Sequence, residues 1–284
     1  MYLFDTHTHF DVPEYDDRRD EFNTSAYHNG VRHLVLIGYL ARYFDRMVNI
    51  KQYADTHYPI IHHLACGLHP LYIREHGDDD LIVLDNYLKS YPNIAIGEIG
   101  LDTYPNELKD EMIYEKQKHF FIEQIQFSKQ YDLPILLHIR KSHADVLKIL
   151  KTQKYNANNQ GGIAHSFSGG ENEALSFVKM GFKIGITGQI TNPNAKKLRQ
   201  AVKTVYDKYG ISSFVIETDC PDMMPLPCQH GDNYFNEPKN LIHVINELSV
   251  LFDMDKEKLS YELWQNSNDA LKTNFAYSDK MIAK

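Results

Sequence analysis

Near its N-terminus the chain carries the sequence YLFDTHTHFD at residues 2–11. The apolar start of this stretch predicts a short β-strand that leads into a His-x-His pattern. Because side chains alternate between the two faces of a strand, His7 and His9 should point the same way and could share one metal ion. Neutral imidazole is the commonest side-chain metal ligand. The pattern alone also fits two surface histidines, so further ligands must be sought along the chain.

Length and composition are those of an ordinary globular protein. The chain has 284 residues, of which 43% are hydrophobic and 24% are charged, and this length suits one large α/β barrel. The sequence shows neither a signal peptide nor an apolar window of roughly 18 residues. The cysteines are too few for a disulfide framework. We therefore expect a cytoplasmic protein with no membrane contact, and no obligate protein partner is evident.

The charge balance restricts the possible nucleic-acid partners. The formal net charge is −8, whereas proteins that coat nucleic acid usually present a basic surface. This balance argues against a general coat protein. It still allows an enzyme that holds nucleic acid through a local basic patch.

Apolar runs alternate with helical segments along the whole chain. The predicted strands are Tyr2–Asp5, His33–Ile37, Ile60–Cys66, Ile94–Ile96, Ile135–His138, Gly162–His165, Lys183–Ile186 and Ser213–Glu217. The predicted helices are Arg42–Thr56, Leu81–Tyr91, Glu107–Tyr131, Lys141–Thr152, Glu171–Met180, Pro193–Tyr209, Glu237–Phe252 and Asp255–Asn274, and the Asp78–Asp80 run is interpreted as a helix start. Eight strands followed by helices indicate parallel βα units, and we predict a single-domain TIM (β/α)8 barrel over residues 1–284.

A TIM barrel places its functional side chains at the C-terminal ends of several strands. Metal-binding residue types follow the first, fourth, fifth, sixth and eighth predicted strands, as His7, His9, Glu98, His138, His165, Glu217 and Asp219. Each position has another explanation: Glu98 could cap a helix, His138 could be a core histidine, and Asp219 could be an N-cap. One shared metal centre accounts for them more economically than separate explanations.

The number of candidate ligands favours two ions over one. A single catalytic ion takes about three protein ligands and a water, whereas the chain offers four histidines and two carboxylates. Two ions bridged by one carboxylate would use all six. Histidine and carboxylate ligands suit zinc, manganese or cobalt better than magnesium. Because two-metal sites activate water for hydrolysis, we expect a hydrolase that acts on a phosphodiester, or alternatively on an ester or amide.

Six segments of the chain resemble the TatD family of metal-dependent hydrolases, which are amidohydrolase-like barrels. They are FDTHTHFD (4–11), GLHP (67–70), IGEIGLD (96–102), PILLHIR (134–140), HSFSG (165–169) and ETDCP (217–221). These segments stand in family order and span nearly the whole chain. The resemblance implies a TIM barrel, two divalent ions (magnesium, manganese or zinc) and, for several members, magnesium-dependent DNase activity.

The resemblance also implies roles for individual residues. It implies one ion held by His7, His9 and Asp219, a second held by His138 and His165, and Glu98 as the bridge. The predicted catalytic residues are Asp219, Glu98 and His69, with Asp219 orienting the nucleophilic water or accepting its proton. His69 matches the histidine of the family's Gly-x-His-Pro segment, and we assign it as a phosphate contact or general acid. A histidine held in place only by the following proline turn fits equally well.

Two basic groups border the predicted site in sequence. Arg140 and Lys141 follow the fifth strand, so they could hold a phosphate or lie in solvent. Lys196, Lys197 and Arg199 form a modest cluster on the helix after the seventh strand. We interpret this second cluster as a solvated helix face.

Two further residues stand beside the predicted ligand Asp219. Glu217 lies two positions earlier on the same face, so we expect it to orient a ligand histidine. Cys220 follows directly, and no predicted base stands next to it, so we expect a small packing residue and not a nucleophile.

Two loops differ from the DNase members of the family. Residues 103–105 (TYP) follow Asp102, where many family DNases carry an aromatic residue, and residues 220–227 resemble the subgroup of putative hydrolases. Both loops should border the substrate cleft. The leading prediction is an exonuclease-like deoxyribonuclease that acts on DNA. The alternatives are a deacylase or amidohydrolase acting on an ester or amide such as aminoacyl-tRNA, and a non-catalytic metal-stabilised binding module.

Overall fold

The computed structural model describes residues 1–229, 231 and 235–278. The strands are β1 (Leu3–Thr8), β2 (Val31–Ile37), β3 (Ile61–Ala65), β4 (Ile96–Asp102), β5 (Ile135–Arg140), β6 (Ile163–Ala164), β7 (Lys183–Ile186) and β8 (Phe214–Ile216). They pair in parallel as two sheets, β1-β2-β3 and β4-β5-β6-β7-β8. A parallel bridge between Leu64 and Asn93 joins the two sheets on one side.

Helices follow the strands and cover the outside of the sheets. They are α1 (Arg19–His28), α2 (Phe44–His57), α3 (Asp78–Ser90), α4 (Glu111–Tyr131), α5 (His143–Thr152), α6 (Ala157–Gln160), α7 (Glu171–Lys179), α8 (Lys196–Tyr209), α9 (Leu241–Phe252) and α10 (Lys256–Leu271). The predicted α/β TIM barrel is confirmed. Within the described ranges, no helix is both long and apolar enough to cross a bilayer.

Alternating strand residues build two layers of core. In β5, Ile135, Leu137 and Ile139 belong to the larger cluster packed under the helices. Leu136 belongs to a smaller cluster, in which side chains that point into the ring of strands contact Trp264 of α10. Because successive side chains point to opposite faces of a strand, the even-numbered residues that follow Leu136 face the mouth of the barrel.

Several predicted boundaries shift in the structure, two of them for clear local reasons, and one helix is added. β4 begins at Ile96 and continues to Asp102, so Glu98 is its third residue and not its end; two glycines and a buried carboxylate had interrupted the apolar pattern. The helix expected from Glu107 begins at Glu111, because the Asp110 side chain accepts the N–H groups of its first turn. α1 was not predicted. The helix start at residues 78–80 is confirmed as the beginning of α3.

The side chain of Asp5 closes the ring between β1 and β8. Its two oxygens accept the backbone N–H of Thr218 at 2.9 Å and the Thr218 hydroxyl at 2.5 Å. Complete burial raises the pKa of Asp5 to about 7, although the bonds from Thr218 oppose this rise. Asp219, the residue after Thr218, donates its N–H to the carbonyl of His7 at 2.9 Å. This junction therefore sets Asp219 beside the His-x-His segment.

We predict that Thr218→Val lowers the free energy of unfolding by about 1–3 kcal/mol, because it removes a hydroxyl donor from a buried carboxyl group. Urea unfolding followed by circular dichroism measures the change. The matched control is Thr24→Val on the exposed face of α1, which should stay within about 0.5 kcal/mol of wild type. Equal stability of the two variants would contradict a closing role for this contact.

Candidate metal centre

The carboxylate of Glu98 lies at the centre of the site and is buried. Its Oε2 atom is 3.1 Å from Nε2 of His7 and 3.6 Å from Nε2 of His9. Its Oε1 atom is 2.6 Å from Nδ1 of His138 and 3.8 Å from Nε2 of His165. Each oxygen of Glu98 therefore faces a different pair of histidines.

Asp219 faces the same two sides of the site. Its Oδ1 atom is 3.8 Å from Nε2 of His7 and 4.0 Å from Nε2 of His9, and its Oδ2 atom is 3.4 Å from Nε2 of His165. The structure thus brings all six predicted ligands together. Among the described residues, ligand atoms lie within 4.8 Å of one another in three groups: His7, His9 and Glu98; His7, His165 and Asp219; His69, Glu98 and His138.

The chemistry of this donor set fits a divalent cation. Burial favours the neutral form of Glu98, but the surrounding histidines outweigh it and hold the pKa of this carboxyl well below its usual range. Burial also lowers the pKa of His7, which keeps its ring neutral and able to bind a metal. The rings of His7 and His165 stack with centroids 3.3 Å apart. Zinc and similar ions bind imidazoles in their neutral form together with anionic carboxylates, and both residue types converge here in a buried place.

Asp102 orients His138, and the sequence analysis assigned it no role. Nε2 of His138 is 3.0 Å from Oδ2 of Asp102, while Oδ1 of Asp102 accepts the N–H of Tyr104 at 2.8 Å. Burial alone would lower the pKa of His138, but Glu98 and Asp102 raise it to about 9. A carboxylate behind a ligand histidine fixes the ring and makes it more basic. The only sequence signal was the position of Asp102 at the end of the IGEIGLD segment.

Glu217 lies behind His165, as the sequence analysis expected. Its Oε1 atom is 3.0 Å from Nδ1 of His165, a close approach that lacks the alignment of a full hydrogen bond. The same oxygen accepts the N–H of Ser166 at 2.6 Å, and Oε2 accepts the hydroxyl of Thr6 at 3.2 Å. These contacts hold Glu217 in the position from which it can orient the histidine.

His69 reaches the centre with one nitrogen and caps a turn with the other. Its Nδ1 atom accepts the N–H of Leu71 at 2.9 Å, and its Nε2 atom is 3.3 Å from Oε2 of Glu98. Burial lowers the pKa of His69 to about 4. The neutral ring must therefore carry its proton on Nε2, where it can donate a hydrogen bond. This arrangement favours a hydrogen-bond donor over a third histidine ligand.

An open cavity of about 890 Å³ lies over the candidate metal centre. On one side it is lined by Tyr39, Tyr43 and Tyr72, with Tyr39 packed 5.3 Å and 5.4 Å from the other two rings. Arg140 and the loop at residues 221–223 line other parts of it. The three tyrosines were not predicted from the sequence, because they come from two different βα loops. Its expectation that the loop after Asp219 borders the cleft is confirmed.

The remaining candidate residues separate into different roles. Burial raises the pKa of Cys220 to about 12, and its sulfur lies 2.8 Å from the Thr8 hydroxyl, which agrees with the predicted packing role. In the predicted basic cluster, Lys196 and Lys197 are exposed, as expected for a solvated helix face, whereas Arg199 is partly buried and pairs with Glu247 at 2.6 Å. Lys197 also lines a second cavity beside Arg140.

Comparison with known proteins identifies the family. The family model described as "TatD related DNase" matches residues 4–272. The chain belongs to the TatD family. An uncharacterized metal-dependent hydrolase from Haemophilus influenzae is 31% identical over 271 residues, which are 94% of this chain and 98% of the relative. The uncharacterized metal-dependent hydrolase YjjV from Escherichia coli K12 is 32% identical over 93% of this chain and 96% of its own length.

Solved structures of TatD proteins share the fold. The crystal structure of YjjV, a TatD homologue from Escherichia coli K12, superposes with a TM-score of 0.84 and 30% identity, covering 96% of this chain and 98% of that one. A TatD family hydrolase from Entamoeba histolytica gives a TM-score of 0.80 at 22% identity, covering 95% and 97%. The protein is therefore a metal-dependent hydrolase of the TatD family, with candidate metal-binding residues at the mouth of a TIM barrel.

We predict that Asp102→Asn weakens metal binding by about 10–100-fold, the usual effect of removing the partner of a ligand histidine. Asparagine has one acceptor oxygen, so it cannot accept from both His138 and the N–H of Tyr104. Competition with a chelating dye measures the affinity. Glu107→Gln, an exposed change in the following loop, is the matched control and should leave the affinity unchanged. An unaltered metal affinity in Asp102→Asn would show that His138 does not need the Asp102 carboxylate to bind a metal.

Proposed function

We propose that this TatD protein is a two-metal phosphodiesterase that cleaves DNA from a chain end. The arrangement of Glu98 carries the proposal, because its two oxygens face separate sets of nitrogen ligands. One ion would be held by His7, His9 and Asp219, and a second by His138 and His165, with Glu98 shared between them. Divalent ions in such a site make water a stronger nucleophile and stabilise negative charge on the phosphate oxygens.

Asp219 is the group proposed to accept the proton of the attacking water. It is buried, and its two oxygens span both sides of the ligand cluster. Nearby histidines outweigh the effect of burial and lower its pKa, so the carboxylate is available as a base. A base must lie within hydrogen-bond reach of the proton that it takes, and a water between the two ligand sets would meet this condition.

Two further groups are proposed to hold the phosphate. Nε2–H of His69 points into the centre and can donate to a phosphate oxygen. Arg140 lies two residues after His138 on β5, so both side chains face the mouth of the barrel. A guanidinium matches the oxygens of a phosphate in two-point contacts. Together these groups would position the phosphodiester against Asp219.

The proposed substrate is a DNA end and not a simple diester. Aromatic rings that line a groove stack with bases whatever their sequence, and Tyr39, Tyr43 and Tyr72 offer such a wall beside the centre. The description of the matched family, "TatD related DNase", supports DNA, whereas the names of the relatives give only the reaction class. A cavity open on one side suits the end of a strand, which supports exonuclease-like cleavage. A cytoplasmic location stays a prediction.

We predict that Asp219→Asn keeps the fold but lowers hydrolysis at least about 100-fold, since it removes the proposed base and one charged metal ligand. Asparagine tolerates the left-handed backbone that Asp219 adopts (φ 54°), so a loss would not reflect backbone strain. Activity is measured on bis(p-nitrophenyl) phosphate with magnesium, manganese or zinc, and folding by circular dichroism. Asp207→Asn on the exposed face of α8 is the control and should retain activity.

The same assay separates the proposed substrate from the alternatives. Single-stranded DNA, double-stranded DNA and an aminoacyl ester are offered to the wild type with each metal. Cleavage of the ester alone would replace the nuclease with a deacylase. A protein that gains thermal stability with metal but hydrolyses nothing would be a binding module. Equal rates in wild type and Asp219→Asn would refute the assigned role of Asp219.

We predict that His69→Asn leaves the metal content unchanged and lowers kcat about 100-fold, the cost of losing one donor to the transition state. The oxygen of asparagine can still accept the N–H of Leu71, whereas the Nε2 donor is lost. Metal content is measured by mass spectrometry of the purified protein. His119→Asn, at an exposed position of α4, is the control. A reduced metal content in His69→Asn would show that His69 is a ligand.

A further inference from the structure

A second cavity of about 510 Å³ adjoins the one over the metal centre. Arg140 and Ser168 line both cavities, so the two adjoin at these residues. Lys141, Lys197 and the first turn of α5 line the remainder. We call this second cavity the basic pocket. The proposed phosphodiesterase assigns a role only to Arg140, at the boundary between the cavities, and leaves Lys141 and Lys197 without one.

The three cations of the basic pocket have no acidic partners. Within the described ranges, no carboxylate lies within 4.0 Å of the charged groups of Arg140, Lys141 or Lys197, although other lysines and arginines form such pairs. The pocket also contains two acidic residues, which form no ion pair with these cations. Asp145 accepts the Tyr114 hydroxyl at 2.5 Å, and Glu173 accepts the N–H of Gly170 at 2.6 Å. Three cations against two carboxylates leave the pocket with a formal net positive charge that is available to an anion.

An aromatic ring holds two of these cations in place. The guanidinium of Arg140 lies over the Tyr104 ring at 3.8 Å from its centroid, and Nζ of Lys141 is 5.0 Å from the same centroid. Such contacts orient a cation while leaving its N–H groups free. Tyr104 belongs to the loop in which this chain differs from the DNase members of the family. The unusual loop thus organises the pocket.

Strand β5 links the basic pocket to the candidate metal centre. Arg140 follows His138 by two residues on this strand, so their Cα atoms are about 6.6 Å apart along it. Adjacent phosphates along a polynucleotide are separated by a similar distance. A chain whose scissile phosphate lies at the metal centre would therefore place the next phosphate near Arg140, Lys141 and Lys197.

We infer that the basic pocket is a subsite for the phosphate next to the scissile one, so that the enzyme selects substrates with at least two phosphates. This inference rests on the proposed phosphodiesterase activity and specifies its substrate. The second phosphate would accept a hydrogen bond from Lys197, with Lys141 adding charge. Arg140, which lines both cavities, has enough N–H donors to contact this phosphate as well as the scissile one. Simple diesters and small aminoacyl esters lack the second phosphate and would not benefit from the pocket. The local charge also explains how a chain with a net charge of −8 could hold nucleic acid.

The test compares the thymidine dinucleotide TpT with its forms phosphorylated at the 5′ end (pTpT) or the 3′ end (TpTp). We expect wild-type kcat/KM to be at least about 10-fold higher for one phosphorylated form than for TpT, the range for charge-assisted hydrogen bonds. The double variant Lys141→Gln/Lys197→Gln should bring that ratio close to 1. Lys196→Gln/Lys203→Gln removes two exposed lysines of α8 that do not line the pocket, and it should keep the wild-type ratio.

Two outcomes would overturn the subsite while leaving the phosphodiesterase intact. One is equal kcat/KM for TpT and both phosphorylated forms in the wild type. The other is an unchanged preference in the Lys141→Gln/Lys197→Gln protein.

A binding measurement tests the proposed phosphate subsite even if no dinucleotide is cleaved. Calorimetry of the metal-loaded Asp219→Asn protein should give a Kd at least about 10-fold lower for one phosphorylated dinucleotide than for TpT. Equal affinities would overturn the subsite. Absence of cleavage by the wild type with every metal, together with tighter binding of a phosphorylated form, would instead refute the phosphodiesterase and leave the subsite standing.

Discussion

The buried carboxylate of Glu98 is the constraint on which the rest of the structure depends. A charged group taken out of water is tolerated only when it is paired and hydrogen-bonded, and Glu98 has five histidine rings around it. These rings come from four different βα units of the barrel. The ring of parallel strands brings these distant segments to one point. The fold and the cation site therefore depend on the same geometry.

A second layer of carboxylates determines where the rings point. Asp102 contacts His138, and Glu217 approaches His165, each from the side away from Glu98. Asp5 instead joins β1 to Thr218, the residue before Asp219, through two hydrogen bonds. Acidic residues thus act at three levels: as candidate ligands, as supports for ligand histidines and as a closure of the barrel. Loss of a support would displace a ligand without removing it.

The sequence predicted those candidate ligands whose location follows from the order of strands along the chain. Parallel strands share one C-terminal edge, so His7, His138 and Asp219 could be expected to meet without knowledge of any contact, and the structure brings them together. The roles of residues that act through tertiary contacts could not be predicted in this way. Asp102 became visible as a partner of His138 only when β4 and β5 were paired. Helix α1 was not predicted, because few apolar residues lie on its buried face.

Metal chemistry and substrate choice are carried by different parts of the barrel. The candidate ligands lie on or directly after strands that are fixed by the core, so their spacing tolerates little change. The walls of the two cavities come largely from loops and helix ends: Tyr72 and Tyr104 follow different strands, and Lys197 lies in the first turn of α8. A loop can change without disturbing the ligands, because strand positions are set by packing beneath them. Departures from the family in the TYP loop should therefore change which molecule reaches the centre and leave the chemistry performed there unaltered.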